Sequence, residues 1–275
     1  MDADLIFLSL ASQKKNIYLL RESVQFGKKT NNLIKDKDNV KEELDYLCID
    51  TLKECLIDKV NIMINKKAYE LNYKIKKKID DKFINDFIFI CFFLGNDFLP
   101  HIPSIDIGNY GLDNIINSYI DTYIECCEIQ MIEINKEIYI NEIMLSLFLK
   151  NLSNLENGYF RKALPIYLNR KRNRKCDNKT KYDEDICKLN NMKYLKINDS
   201  IRLGEDSAKE WKYRYYNEYT HVSGDQKDVI KKLCYSYFEG LKWVAEYYFK
   251  GCKSWRWQYS YSHSPFVSDL SNYIN

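Results

Sequence analysis

The chain has 275 residues, enough for one large domain or two small ones. Its 42 Lys and Arg against 39 Asp and Glu leave a formal charge of +3, which excludes a histone-like basic arm or an acidic solvating tail. Nine Gly and four Pro are far below the usual ~12% and argue against a turn-dense all-β architecture, so a mainly helical fold is expected.

In chain order, Asp2 and Asp4 bracket the start of the apolar run Leu5–Ala11, and Asn16–Glu22 reads as a short strand. Phe26–Val40 is polar and lysine-rich, a loop. From Val40, apolar residues at three- and four-residue steps (Leu44, Leu47, Cys48, Leu52, Cys55, Leu56, Val60) predict an amphipathic helix. Lys66–Lys82 is a charged stretch. Phe83–Leu94 is apolar on most faces and predicts a buried helix, stopped by Gly95 and kept from restarting by Pro100 and Pro103. Two helical stretches follow, near 111–127 and 140–155. Leu168–Tyr182 carries seven Lys/Arg against one Asp and reads as an exposed linker. Lys209–Tyr219 is dense in aromatic and basic residues, and Ser223 with Gln226 forms a capping-box signature. The helix after it carries Ile230, Leu233, Cys234, Tyr237, Leu241, Val244, Ala245 and Tyr248 on one stripe, with Gly251 as its stop. Trp243, beside that stripe, reads as core, and Ser254–Asp269 reads as aromatic and irregular.

The nine cysteines form no CxxC pair or zinc-spaced cluster. Cys48, Cys55, Cys91 and Cys234 fall among apolar residues, where a free thiol behaves as a small hydrophobe. No secretory signal or bilayer-length apolar run is apparent, so an intracellular, reducing setting without a membrane partner is expected, nucleus versus cytoplasm open.

Three acids stand at the edges of apolar segments: Asp2, Asp4 and Asp97. Converging carboxylates suit a hard divalent cation. On spacing alone, helix capping for Asp2 and Asp4 and a turn role for Asp97 are the favoured readings. Trp255 and Trp257, interleaved with Lys253 and Arg256, suit stacking on single-stranded bases and phosphate contact; covering an apolar surface is the alternative.

The sequence GNDFLPHIPSIDI (95–107), preceded by NDFIFICFFL, resembles the signature of the Xrn-type 5′→3′ exoribonucleases. MDADLIFLSLA at the start, LDYLCIDTLKECL (44–56), EWKYRYY (210–216) and SYFEGLKWVAEYYFKGCKSWRWQYSYSHSPFVSD (236–269) extend the resemblance colinearly. It implies Mg2+, or Mn2+ in its place, held by Asp2, Asp4 and Asp97 as catalytic and metal-binding residues. It further implies two-metal-ion hydrolysis of single-stranded RNA from a 5′-monophosphate end, in RNA turnover. Gly95 and Asn96 would then aim Asp97, and His101 would be a structural histidine of the same turn. The implied architecture is the C-terminal portion of a PIN/FEN-like nuclease core, a mixed sheet with helices on both sides, over 1–108. A helical domain would follow over 109–275, with the basic linker near 168–182.

Two departures set further expectations. The family's segment before the Asp-Ala-Asp motif, with more acidic ligands and a basic 5′-phosphate pocket, has no counterpart here. The chain alone is therefore expected to be inactive unless an N-terminal half is supplied separately. The other reading is a catalytically dead single-stranded-RNA-binding or scaffold remnant of the same fold. The family's Tyr-Pro-Phe-His-Tyr-Ala-Pro-Phe appears as YSYSHSPF (259–266), with Ser262 and His263 displacing the usual His and Tyr.

Overall fold

A computed structural model describes residues 3–22, 44–173, 180–192 and 199–274. Within them the chain runs α1 (Ala3–Ala11), β1 (Tyr18–Glu22), β2 (Leu44–Cys48), α2 (Ile49–Glu70), α3 (Phe83–Cys91) and α4 (Gly111–Glu125). It continues through β3 (Ile132–Ile134), β4 (Ile138–Ile140), α5 (Glu142–Gly158), α6 (Leu164–Arg172), α7 (Lys181–Met192), α8 (Ala208–Thr220), α9 (Lys227–Phe249) and α10 (Val267–Tyr273).

The molecule is organised around α3. Every residue of this helix is buried, as its all-round apolar pattern requires. It tightens into a 3₁₀ turn at Phe92–Leu94 and ends at Gly95, whose φ of +88° a side chain would resist. α1, α2 and α4 lie against it. One cluster of buried side chains runs from Leu10 through α3, α4, α5 and α9 to Leu270. A second, aromatic cluster joins Tyr159 and Phe160 to Trp211, Tyr215, Tyr216, Leu233 and Phe266.

α3 also buries a carboxylate. Asp86 accepts the backbone N–H groups of Met131 (3.0 Å) and Ile132 (2.8 Å) and the Tyr119 hydroxyl (2.7 Å), tying the β3–β4 hairpin to the core. Burial pushes its pKa up to about 6, opposed by those three hydrogen bonds.

The expectation of a mainly helical chain is met, with the sheet content smaller and simpler than the resemblance implied. Among the described residues there are two separate antiparallel ribbons, β1–β2 and β3–β4, rather than a mixed sheet. Residues 44–48 are a strand and not the first turns of a helix: they pair with β1 from Tyr18↔Cys48 to Glu22↔Leu44. This register turns Leu19 and Leu47 toward the core and leaves Tyr18, Leu20, Leu44 and Tyr46 exposed. The helix begins at Ile49 and continues to Glu70, taking in the start of the charged stretch. The loop expected over Phe26–Val40 lies outside the described residues.

Other corrections concern ends. The basic stretch 168–182 is not a plain linker, since α6 runs through Arg172 and α7 starts at Lys181; residues 174–179 lie outside the described set. Its solvated character holds, because neither helix buries a residue. The capping box forms at Ser207 and Glu210, at the start of α8, and not at Ser223. Gln226 is the N-terminal residue flanking α9, and its amide instead donates to the carbonyls of Val222 (2.7 Å) and Tyr213 (3.3 Å). The β3–β4 hairpin and α10 had no expected counterpart. Cys91 and Cys234 are buried free thiols as expected, Cys55 is exposed, and Cys187 is disulfide-bonded. No helix among the described residues is long and apolar enough to cross a membrane.

Candidate active site

The loop after α3 is fixed first by its own backbone. At Gly95 a Cβ would sit 2.8 Å from the His101 nitrogen, so only glycine lets the two arms of the loop close. The Asn96 side-chain oxygen accepts the N–H groups of Phe98 and Leu99, both at 2.9 Å, and Asn96 N–H donates to the Leu99 carbonyl at 3.0 Å. An Asx turn of this kind replaces the hydrogen bonds the helix can no longer offer. Ile102 N–H returns to the Phe93 carbonyl at 3.1 Å.

Distant elements then strap it down. The Tyr237 hydroxyl on α9 donates to the Pro100 carbonyl at 3.1 Å, and Ser264 donates to the His101 carbonyl at 2.6 Å. Leu99 is buried against Gly240 of α9, where an added Cβ would lie 2.6 Å from Leu99 Cδ2 and 3.1 Å from the Trp257 ring. The result is a rigid turn presenting Asp97 to solvent.

Asp4, near the start of the chain, is tied to α9. The Tyr248 hydroxyl, on the last turns of α9, donates to Asp4 Oδ1 at 2.5 Å. Burial raises the pKa of this phenol far above its usual range. The hydrogen bond to Asp4 and the charges of Asp4 and Asp97 raise it further. Of the three predicted carboxylates, Asp4 is bonded to this phenol. Asp2 lies outside the described residues. Among the described residues no group of three or more His, Cys, Asp or Glu forms a metal-holding cluster.

Gly95, Asn96 and His101 occupy the turn as predicted. The His101 imidazole is held below its usual pKa by partial desolvation, only partly opposed by the Asp106 charge. His263 stacks on Tyr219 with ring centroids 3.3 Å apart, and its Nδ1 lies 2.9 Å from the Ser262 hydroxyl. Desolvation, then the nearby His101, lowers its pKa.

The aromatic segment divides by residue. Trp257 stacks on Trp243 (4.7 Å, 19°), and Trp243 stacks on Tyr247 (5.5 Å, 13°). Phe98, next to Asp97, meets both Trp243 and Tyr247 edge-on at 4.9 Å. Trp243 is thus a half-buried rung of a ladder and not the core residue expected. Trp255 is 87% exposed, and its neighbours Lys253 and Arg256 are exposed as well.

Tyr248, Tyr237, Ser264 and Phe98 were not singled out as site residues. A usable signal existed for the tyrosines. A hydroxyl on an otherwise apolar helical stripe needs a buried acceptor, so Tyr237 and Tyr248 pointed to partners beyond the helix.

The sequence model of the family described as Xrn1 helical domain matches residues 77–194 and 168–275. Human 5'-3' exoribonuclease 1 is 26% identical over an alignment covering 99% of this chain and 17% of that protein. The Drosophila melanogaster 5'-3' exoribonuclease 2 homolog is 24% identical, with 98% of this chain and 36% of its own length covered. The Arabidopsis thaliana 5'-3' exoribonuclease 2 is 25% identical, with 98% and 35% covered. The chain spans well under half the length of these relatives.

Proposed function

This chain belongs to the Xrn1 helical domain family, and from that premise we propose that it serves in 5′→3′ hydrolysis of single-stranded RNA bearing a 5′-monophosphate. The observation that supports this reading is the hydrogen bond from Tyr248 on α9 to Asp4 at 2.5 Å, in a phenol whose proton is held by the charges of both Asp4 and Asp97.

Both acids offer hard oxygen donors at the protein surface, the chemistry that magnesium or manganese requires. Asp2, Asp4 and Asp97 are the residues that would hold such ions. When bound, divalent ions supply Lewis-acid chemistry, making a water more acidic and neutralising charge on the scissile phosphate. Gly95 and Asn96 keep Asp97 in one position, so no loop rearrangement is needed when substrate arrives. His101 contributes by its place in the turn, with its backbone carbonyl bonded to Ser264.

Trp255, with Lys253 and Arg256 beside it, is the exposed aromatic available to stack on a base, while Trp257 holds the ladder together. The family resemblance implies further acidic ligands beyond Asp2, Asp4 and Asp97. We therefore assign hydrolysis to this chain joined to a further acidic segment, and RNA binding to the chain itself.

The test is degradation of 5′-monophosphorylated RNA with Mg2+ by such a joined protein. Asp97→Asn is expected to abolish it while RNA binding persists. An unchanged rate overturns the metal assignment and leaves an RNA-binding scaffold.

A further inference from the structure

We infer that Tyr248 is a positioning residue for Asp4, a phenol that fixes the orientation of this carboxylate. The inference rests on the divalent-ion reading above and deepens it.

The hydrogen bond joins residues 244 positions apart and is short for a neutral donor, as expected when the acceptor is a carboxylate. The phenol is buried, and its ring packs on Phe92 at 5.1 Å, three residues before Gly95. One rigid side chain thus touches the root of the Asp97 loop with its ring and Asp4 with its hydroxyl.

The neighbouring Tyr247 provides an internal contrast. It is held by Phe98 and Trp243 in the aromatic ladder, so consecutive tyrosines serve the ladder and the Asp4 carboxylate separately. Groups that orient a metal-binding carboxylate without touching the ion matter nearly as much as the carboxylate itself.

The experiment is Mn2+ binding to the chain, followed by electron paramagnetic resonance, in wild type, Tyr248→Phe, Tyr247→Phe, Asp4→Asn and Asp97→Asn. Tyr248→Phe is expected to weaken binding about tenfold or more, with Tyr247→Phe close to wild type. Thermal melts provide the readout that mere packing would not move: Tyr248→Phe should lose the rise in Tm caused by Mn2+. An equal Mn2+-induced rise in both proteins overturns the positioning role. So does wild-type affinity in Tyr248→Phe beside a weakened Asp97→Asn, an outcome that leaves the metal reading standing. Equal binding by wild type, Asp4→Asn and Asp97→Asn, or none by any, overturns both. Should Tyr248→Phe fail to fold, wild type alone decides. Mn2+ must broaden the Tyr248 ring resonances at lower concentration than those of Tyr139 on the hairpin, and equal broadening overturns the inference.

Discussion

The Gly95–Pro103 loop and the arm formed by α6 and α7 are both polar segments following a helix, yet they are held in opposite ways. The loop receives hydrogen bonds from residues 137 and 163 positions away, and its Leu99 and Ile102 are buried. In the arm, hydrogen bonds and ion pairs such as Arg172 to Asn169 at 2.7 Å and Lys188 to Glu184 at 2.6 Å stay within a helical turn, beside a disulfide at Cys187. No residue of either arm helix is buried. The arm is the more charged of the two and the more conspicuous in sequence, but the loop is where long-range structure has been invested. Density of charge therefore locates solvent-facing surface, whereas bonds reaching across the chain locate the place whose geometry matters.

The strongest way to break this comparison is to substitute equivalent apolar residues in the two regions. Phe93→Ala, at the root of the loop and fully buried, is expected to cost about 3–5 kcal/mol in urea unfolding. Ile166→Ala in α6, 53% exposed, should stay within about 0.5 kcal/mol. Similar losses at both would erase the distinction.

A second prediction uses the buried carboxylate of α3. Asp86 has a pKa of about 6 when folded against an ordinary value of 3.8, so the folded state holds the proton more tightly. Its ionised form is thus a burden of about 3 kcal/mol above pH 6, relieved as the pH falls toward 4. Stability measured at pH 5 relative to pH 7 should be more favourable in wild type than in Asp86→Asn. The same difference in both proteins would remove Asp86 from the account.

The tryptophans sharpen the contrast within the site. Trp255→Ala is expected to weaken single-stranded RNA binding by about 1–3 kcal/mol without lowering Tm. Trp257→Ala should lower Tm, because it removes the stack on Trp243. Exchanged phenotypes would reverse their assigned roles. The smallest effect is expected in the arm. Arg170→Ala with Lys171→Ala should leave stability within about 0.5 kcal/mol and only flatten the salt dependence of RNA binding.

The legible part of the fold was its strongest periodicity. The apolar block ending at Gly95 and the stripe on α9 were readable because burial on most faces of a helix leaves little ambiguity. The strand at 44–48 was misread because Leu44, Leu47 and Cys48 fit helical spacing as well, and its partner in β1 is distant in sequence. The cap of α8 was overlooked because Ser207–Glu210 precedes an aromatic, charged segment with no clear stripe. At the site, the acids were visible in sequence, but the phenol bonded to Asp4 was hidden inside an apolar pattern. Nothing local records that a residue near position 248 will meet one near position 4.

Gly240 has a bearing on all of this through what it lacks. Helix α9 touches Leu99 on one side and the Trp257 ring on the other across a position with no side chain, and one added carbon would collide with both. The spacing between the surface where a base could rest and the acid at the turn is thus gauged by an empty notch. A methyl group there would act as a shim, moving two parts of the machine out of alignment while altering no charge and no donor.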